Sequence, residues 1–186
     1  MRIISGLLKG KSVKFIKSAS SRPLRDSVKE NIFNILKHSN LINVKIEKAN
    51  ILDLYSGIGS FGLECISRGA KKVIFIEKDK NISNVLDENL LQLSVSDKAS
   101  IINDKIENAL KNYDKEKFDI FFLDPPFADK KFVDNLNLIN KNKIYKARHV
   151  IIIHREINTE DDLENFINVI DTKRYGRSKI IFGVFS

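Results

Sequence analysis

The sequence has few of the residues that form disulfides, metal centres and membrane spans. Its 186 residues include one cysteine, Cys65, and no tryptophan. A lone cysteine excludes an intramolecular disulfide, and His38, His149 and His154 lack the spacing of metal ligands, so we expect them to be structural or surface residues. No stretch approaches the roughly 20 apolar residues of a membrane span, and the N-terminus has no apolar signal region. We expect a cytoplasmic monomer with no metal and no membrane partner.

Acidic residues are scarce at the N-terminal end of the chain. Residues 1–48 hold 11 Lys or Arg and 3 Asp or Glu, a net charge of +8, whereas residues 49–186 hold 21 of each and are neutral. Lysine-rich codon bias alone would not leave the rest of the chain neutral, so we expect a polyanion-binding face on the N-terminal segment. Its candidate contacts are Arg2, Lys9, Lys11, Lys14, Arg22 and Arg25.

A glycine-rich turn follows the first buried run of the predicted core. Residues 51–54 can form a short strand, Gly57, Gly59 and Gly62 give the pattern G-x-G-x-x-G, and residues 61–68 have apolar side chains at helical spacing. Strand, glycine turn and helix in this order lay a nucleotide or nucleoside against a helix N-terminus. A tight turn without a ligand is the weaker alternative, because three glycines stand within six residues.

Two acidic residues flank this turn and bear on the identity of the ligand. Glu77 lies 20 residues after Gly57, at the end of the next apolar run. An acid there can accept hydrogen bonds from ribose hydroxyls, which fits NAD as well as S-adenosylmethionine. Asp53, before the turn, is less typical of a dinucleotide site, and its carboxylate could hold the amino group that S-adenosylmethionine has and NAD lacks. This stretch resembles motif I of the class I methyltransferases.

The segment before the core contains short strand and helix signals. Arg2 to Phe15 is predicted to be a β-hairpin, with Gly6 and Gly10 as turn formers. A helix is predicted to follow, with Ser27 and Glu30 forming a capping box at its start. Its apolar face comprises Val28, Ile32, Ile35 and Leu36. A chain of this length fits one domain, so we expect residues 1–48 to be an extension packed on a core of residues 49–186.

Apolar strands and amphipathic helices alternate through that core. Continuous apolar strands joined by helices predict a mostly parallel α/β sheet that is covered on both faces. The last predicted helix would be capped by Thr159 and Asp162 and would bury residues 163–167 in part. Residues 169–173 and 179–185 are strands joined by a link too short for a parallel crossover, so the last strand should run antiparallel to its neighbour.

The motif Asp124-Pro125-Pro126-Phe127 ends a central strand, where open α/β sheets bind ligands. Two prolines fix a rigid turn and remove two backbone donors, so nearby carbonyls are available to a ligand. Asp124 offers a carboxylate acceptor and Phe127 a flat apolar ring. Such a site suits a planar base with an exocyclic amino group. A capped strand end with a buried Phe127 is the alternative, but the tetrad is specific enough to favour the functional interpretation.

The tetrad resembles motif IV of the amino-methyltransferases that act on exocyclic nitrogens of bases. Several further stretches resemble the RsmD family of small-subunit rRNA (guanine-N2)-methyltransferases across almost the whole chain. They are Arg2-Ile-Ile-Ser-Gly, Lys9-Gly-Lys11, Arg22-Pro23, Asp26, Glu30, Asn31, Phe33-Asn34, Gly62 to Ala70 and Tyr175-Gly176. The resemblance implies a Rossmann-like class I methyltransferase fold. Its sheet would have seven mostly parallel strands with an antiparallel last strand, next to the N-terminal hairpin and helix.

The resemblance also implies roles for the motif residues. S-adenosylmethionine would lie over the glycine turn, with Glu77 at the ribose and Asp104 at the adenine amine. The cofactor-binding set is Asp53, Ser56, Gly57, Gly59, Glu77, Lys78 and Asp104. The catalytic set is Asp124, Pro125, Pro126 and Phe127, which would hold a flipped guanine. The partner would be small-subunit (16S) rRNA, within an assembled or partly assembled 30S particle, and the basic N-terminal residues would bind its phosphates.

Three other functions remain open from the sequence. A DNA amino-methyltransferase has the same tetrad, but this chain has little room for a target-recognition region. An NAD-dependent oxidoreductase uses the same glycine pattern, but would give residues 124–127 no role. A non-catalytic RNA-binding protein on a methyltransferase fold is disfavoured because Asp53, Glu77 and Asp124 are all present. Calorimetric titration with S-adenosylmethionine and with NAD distinguishes a methyltransferase from an NAD-dependent oxidoreductase.

Overall fold

A computed structural model describes residues 1–16, 24–111 and 113–186, and these ranges contain one sheet of seven strands with helices on both faces. The strands are β1 (Asn50–Leu54), β2 (Lys72–Ile76), β3 (Ala99–Ile102), β4 (Phe118–Leu123), β5 (Tyr145–Glu156), β6 (Asn168–Tyr175) and β7 (Ser178–Val184). The α-helices are α1 (Asp26–His38), α2 (Ser60–Ser67), α3 (Lys80–Gln92), α4 (Ile106–Leu110) and α5 (Phe132–Asn142). None of the described helices has the length and apolar character of a transmembrane span.

The strand order is β3-β2-β1-β4-β5-β7-β6. Strands β1 to β5 are parallel, and β7 runs antiparallel to both β5 and β6. The predicted fold class and the reversed last strand are therefore confirmed. The order reverses between β1 and β4, which opens a crevice at the carboxyl ends of these two strands.

Alternate residues of the central strands pack into two apolar layers. Helices α1, α2 and α3 cover the first face, where the ring of Phe61 stacks between those of Phe33 and Phe122 with centroid separations of 5.3 and 4.1 Å. Helices α4 and α5 cover the second face, with Phe121 and Phe132 in its core. Because both faces are buried, the strands are continuously apolar, and this is why sequence patterns located them.

The N-terminal segment lies along α2 on the first face. The expected hairpin is reduced to one antiparallel bridge, between Arg2 and Ser12. The fully buried carboxylate of Glu64 accepts hydrogen bonds from the backbone N–H groups of Ile4 and Ser5 at 2.8 and 2.9 Å. Glu64 also lies 3.9 Å from the buried Lys29, whose pKa is lowered by burial. Backbone bonding to a helix side chain thus replaces part of the expected strand pairing.

Two local predictions are wrong. Helix α1 begins at Asp26 with Arg25 as its N-cap residue, so Ser27 lies inside the first turn and forms no capping box with Glu30. The helix expected after Thr159 is absent from the described residues 157–167, which contain only turns. The Leu163 carbonyl accepts hydrogen bonds from the N–H groups of Phe166 and Ile167. This single turn suffices to bury Leu163, so a longer helix is not needed for packing.

Candidate active site

The carboxyl ends of β1, β2, β4 and β5 surround a cavity of about 780 Å³. This volume lies in the range of about 300–1,000 Å³ that is usual for cofactor pockets. All four predicted catalytic residues line the cavity, as do all the predicted cofactor-binding residues except Gly59. The fold therefore brings the glycine turn and the proline tetrad into one site, although they stand more than 60 residues apart in the sequence.

The glycine turn is shaped by backbone conformation and by close packing. Gly59 has a φ of 85°, and a Cβ at this position would meet Leu86 Cδ1 at 2.5 Å. Gly62 lies in α2, and a Cβ there would be 2.7 Å from Phe75 Cζ. These two glycines thus let α2 lie directly on β2 and α3. Gly57 has open space in front of its Cα, so its backbone is accessible to a ligand.

Asp53 is a buried carboxyl group in the cavity wall. Its side chain is at the end of β1, it is 1% exposed, and it accepts a hydrogen bond from the Gly62 N–H at 2.9 Å. Burial raises the pKa of Asp53 well above its ordinary value; the Gly62 bond opposes this shift, and the nearby Asp124 and Glu77 add to it. Asp53 forms no ion pair with any described residue, so an ammonium group of a ligand fits its surroundings.

Glu77 is held in place at the end of β2. Its carboxylate accepts hydrogen bonds from the backbone N–H groups of Gly57 and Asp79 at 2.9 and 2.8 Å. Carboxylate oxygens can accept more than one bond, so Glu77 keeps capacity for ribose hydroxyls. Ser56 donates its own N–H to the Ile76 carbonyl at 3.1 Å and so joins β1 to β2 beside this acid. The exposed Lys78 also lines the cavity.

Asp104 lies on the open side of the cavity, just before α4. Its carboxylate accepts hydrogen bonds from the Asn108 side chain at 2.9 Å and from the Lys105 N–H at 2.7 Å. These bonds lower the pKa of Asp104. The group is therefore an oriented anion, which suits an acceptor for an adenine amine. Apolar side chains of Ile58, Ile82 and Ile106 line the same cavity and can cover a planar ring.

A buried arginine that sequence reasoning missed holds the proline tetrad. The Arg155 side chain is fully buried, and its guanidinium forms two bonds to Asp161, at 2.9 and 2.8 Å. It also donates to the Pro126 carbonyl at 3.0 Å and to the Phe127 carbonyl at 3.2 Å. These two carbonyls are thus occupied. No donor among the described residues binds the Pro125 carbonyl, so Pro125 is the proline that can accept from a ligand.

His154 was also missed, because it was expected to be a structural or surface residue. Its Nδ1 lies 2.8 Å from Asp124 Oδ1, and its ring meets the Phe127 ring edge-on at 5.8 Å. The contact follows from strand register, since Leu123 pairs with Ile153. Asp124, which directly follows β4, therefore lies beside His154, which is still within β5. Both Asp124 and His154 directly follow apolar runs of parallel strands, and this was the available sequence signal.

The basic N-terminal residues are spread along the molecule. Arg2 approaches Asp26 at 3.8 Å, and Lys14 pairs with Glu88 at 2.8 Å. Lys9 and Lys11 belong to a turn that is fixed to the last residue of α2 through Leu7 N–H and the Ser67 carbonyl, 2.8 Å apart. This end of α2 points away from the cavity. Arg25 is exposed at the start of α1, and Arg22 lies outside the described residues.

The described residues contain no cluster of metal ligands, and the sequence matches the model of a known family. Within the described residues, no three His, Cys, Asp or Glu side chains are grouped to hold a metal ion. The sequence model of the family described as conserved hypothetical protein 95 matches residues 1–184.

Relatives of known name are similar over most of their lengths. "Ribosomal RNA small subunit methyltransferase D" of Haemophilus influenzae is 37% identical over 84% of this chain and 79% of its own. A putative rRNA methyltransferase of Bacillus subtilis is 33% identical over 86% of this chain and 85% of its own. The solved structure of a putative methyltransferase from Escherichia coli superposes with a TM-score of 0.84 at 27% identity, covering 98% and 96% of the two chains.

Proposed function

The chain belongs to the family described as conserved hypothetical protein 95, the RsmD family, and from this premise we propose that it methylates the exocyclic N2 of a guanine in small-subunit rRNA with S-adenosylmethionine as methyl donor. The observation that most supports the proposal is the geometry of one cavity. It brings Asp53, which is buried and has no ion-pair partner among the described residues, together with Glu77, Asp124, the Pro125 carbonyl and Phe127.

The residues present fit S-adenosylmethionine. Asp53 offers a carboxylate to the amino group, Glu77 offers acceptors to the ribose, and Asp104 offers one to the adenine amine. Gly57 lets the backbone approach the ligand without a side chain between them. When bound, the cofactor supplies a methyl group on a positively charged sulfur, which needs no metal for activation. NAD lacks an ammonium group for Asp53 and gives the proline tetrad no role.

Asp124 and Pro125 fit a flipped guanine. The Asp124 carboxylate and the Pro125 carbonyl can accept the two N2 protons, and this directs the nitrogen lone pair out of the base plane towards the methyl group. Phe127 can stack on the base, and such stacking contributes about 1–3 kcal/mol. As the new N–C bond formed, the bond between the methyl carbon and the sulfur would break and the sulfur would leave as a neutral thioether. The nitrogen would then lose a proton, and Asp124 would be the acceptor bound to it. Catalysis then depends on alignment and electrostatics rather than on a strong base.

The substrate is proposed to be a small-subunit particle in the cytoplasm, approached by a monomeric enzyme. A domain of this size has little surface with which to select a long RNA sequence. Phosphate contacts by the N-terminal basic residues would orient the protein, and these carry no sequence information directly. Selection would then depend on the shape of the folded particle and on the pocket for one base.

Methyl transfer to defined substrates tests the proposal. Unmethylated small subunits, protein-free rRNA and DNA are each incubated with the protein and labelled S-adenosylmethionine, and nucleosides are identified by mass spectrometry. We expect N2-methylguanosine from rRNA and calorimetric binding of S-adenosylmethionine but not of NAD. N6-methyladenine in DNA would assign the other amino-methyltransferase class. Cofactor binding without transfer to any substrate would indicate a non-catalytic RNA-binding protein.

A further inference from the structure

The loop that joins β6 to β7 concentrates positive charge. Residues 173–179, the basic hairpin, contain Lys173, Arg174, Arg177 and Lys179 and no acid. Lys179 donates to the Thr159 carbonyl, and Lys173 lies 3.0 Å from Asp171. Arg174 and Arg177 are exposed, and neither forms an ion pair with a described residue. Because residues 49–186 have a net charge of zero, the net charge of this segment does not reveal the cluster.

Strand register places the basic hairpin at the same edge of the sheet as the catalytic tetrad. His154 pairs with Ile180 of β7, and Ile180 pairs with Lys173 of β6. Asp124 directly follows the residue that pairs with Ile153. Lys173 is therefore three strand spacings from Asp124, a distance of about 14 Å at the usual spacing of neighbouring strands. Arg174 is level with Arg155, and Arg177 lies beyond Glu156. Arg174 and Arg177 lie at the end of β6 and in the following turn, beside the ligand-binding edge.

Lys9 and Lys11 do not share this position. Lys9 and Lys11 are in the turn fixed to Ser67, the last residue of α2, whereas the cavity is lined by Ser60 and Phe61 at the first residues of that helix. Eight helical residues separate the two ends by about 12 Å. The basic hairpin therefore lies on the side of the cavity where a nucleotide would leave across β5 and β7, whereas the turn with Lys9 and Lys11 does not.

A polar groove continues the surface from the basic hairpin along α1. It has a volume of about 440 Å³ and is lined by Asn31, Asn34 and His38 of α1 and by Asp171, Lys173 and Tyr175 of β6. The Asp171 carboxylate is paired with Lys173 at 3.0 Å. The two amides are exposed and can donate to phosphate or sugar oxygens. Asn31, Asn34 and Tyr175 stand in stretches of family-like sequence that the catalytic mechanism does not use. The groove brings these separate stretches together.

We propose that the basic hairpin binds the RNA backbone next to the flipped nucleotide, with Arg174 and Arg177 on its phosphates and the groove along α1 receiving the continuing strand. The inference rests on the proposed function, since it takes the target base to be in the cavity of Asp124. Exposed guanidinium groups suit this role because they contact phosphate oxygens in a bidentate manner. The arrangement supplies affinity and direction to the strand without selecting a sequence.

Charge-removing substitutions in the full chain test the inference. The test variant is Arg174→Gln with Arg177→Gln. The matched control is Lys115→Gln with Lys117→Gln, which removes the same charge from two exposed lysines that precede β4 at the opposite edge of the sheet. Binding of unmethylated small subunits is measured across a salt series, together with steady-state methyl transfer, calorimetric affinity for S-adenosylmethionine and the thermal midpoint.

For the test variant we expect KM for the particle to rise about 10-fold or more and the salt slope to fall by about 2, one unit for each lost phosphate contact. Cofactor affinity, the thermal midpoint and the rate at saturating particle should stay at wild-type values, and the control variant should match the wild type. Arg174→Lys with Arg177→Lys should recover most of the binding, because the charges are kept.

Equal losses in the test and control variants would overturn the inference, because they would show a general effect of net charge. A test variant with wild-type KM and salt slope would overturn it as well. A wild-type protein that binds particles but methylates no rRNA would contradict the proposed function instead, and the binding comparison would still decide whether the hairpin contacts RNA.

Discussion

One carboxylate oxygen of Asp124 lies 2.8 Å from Nδ1 of His154. This contact fixes the orientation of the carboxylate that we propose as the acceptor for the base, and a fixed acceptor can stabilise a transition state without reorganising. We expect Asp124→Ala to reduce single-turnover methyl transfer by about 100-fold or more while cofactor affinity stays near that of the wild type. Asp114→Ala, at an exposed position far from the cavity, is the control. A variant with wild-type turnover would remove Asp124 from the mechanism.

His154 is expected to act as a positioning residue through Asp124. A hydrogen bond to a charged group contributes about 1.5–3 kcal/mol, so His154→Leu should lower the single-turnover rate by about 10-fold or more. KM for S-adenosylmethionine should be unchanged. His154→Asn keeps a donor near the place of Nδ1 and should recover part of the rate. If His154→Leu and His154→Asn lose the same activity, the loss is due to the missing imidazole ring and not to the missing hydrogen bond.

Asp53 should make cofactor binding depend on pH. Burial raises its folded-state pKa, so without ligand the carboxyl takes up a proton at a pH where an exposed Asp is charged. Only the charged form pairs with an ammonium group. We expect S-adenosylmethionine to bind more tightly as the pH rises through this raised pKa, with proton release on binding below it. Calorimetry in two buffers of different ionisation enthalpy measures both quantities.

The variant Asp53→Asn provides the control for this pH dependence. It should bind S-adenosylmethionine weakly, with an affinity that does not change over the same range. The pH affects stability and cofactor binding in opposite directions. A rise in pH strengthens cofactor binding but lowers the contribution of Asp53 to the free energy of unfolding. Since the folded-state pKa is the higher one, the contribution of Asp53 to stability falls as the pH rises from its unfolded towards its folded pKa, and the variant lacks this fall. A wild-type affinity that is flat with pH would argue against a cation at Asp53.

At the scale of secondary structure, the close contact of α2 with β2 depends in part on Gly62. A Cβ at Gly62 would lie 2.7 Å from Phe75 Cζ and 2.8 Å from Val73 Cγ1, and both side chains are fully buried. Overpacking of this kind costs about 1–3 kcal/mol, against about 1 kcal/mol gained from the better helix propensity of alanine. We expect Gly62→Ala to lower the free energy of unfolding in urea. Asn84→Ala, on the exposed side of α3, should change it little, and a stabilised Gly62 variant would contradict the packing.

Sequence patterns predicted most of the strands but not every helix boundary. The apolar strands β1, β2 and β4 were located because burial on both faces leaves an unbroken apolar run. The antiparallel direction of β7 could be predicted because the link between β6 and β7 is too short for a parallel crossover. The capping box at Ser27 failed because a local motif does not fix the first residue of a helix, and the helix after Thr159 failed because a single turn can bury Leu163.

Residues that depend on register between distant strands could not be predicted in this way. The pairing of His154 with Asp124 and the hold of Arg155 on the Pro126 carbonyl join β5 to the tetrad, about 30 residues away in the sequence. Spacing along the chain has no information about such neighbours until the strand order is known. The tetrad itself was recognisable because its four residues are contiguous.

At the scale of the whole molecule, two of the basic clusters on the described residues lie apart from each other. The basic hairpin lies beside the cavity, and the turn with Lys9 and Lys11 lies beyond the far end of α2. A flexible RNA loses conformational entropy when it contacts both clusters, whereas a prefolded particle can present phosphates to both without that cost. Simultaneous contact raises the effective concentration of the second contact without any new interaction. The particle should therefore be the better substrate.

This argument gives a final prediction, on substrate form and on the N-terminal lysines. We expect methylation of unmethylated small subunits to be much faster than methylation of protein-free rRNA. Lys9→Glu with Lys11→Glu should weaken particle binding and lower its salt slope, since phosphate contacts release counterions. Cofactor affinity and the rate at saturating particle should be unaffected, because these lysines are remote from the cavity. Lys115→Glu with Lys117→Glu is the control of equal charge. Equal rates on both substrates, or an unaltered salt slope in the Lys9 and Lys11 variant, would mean that this turn is only lysine-rich surface.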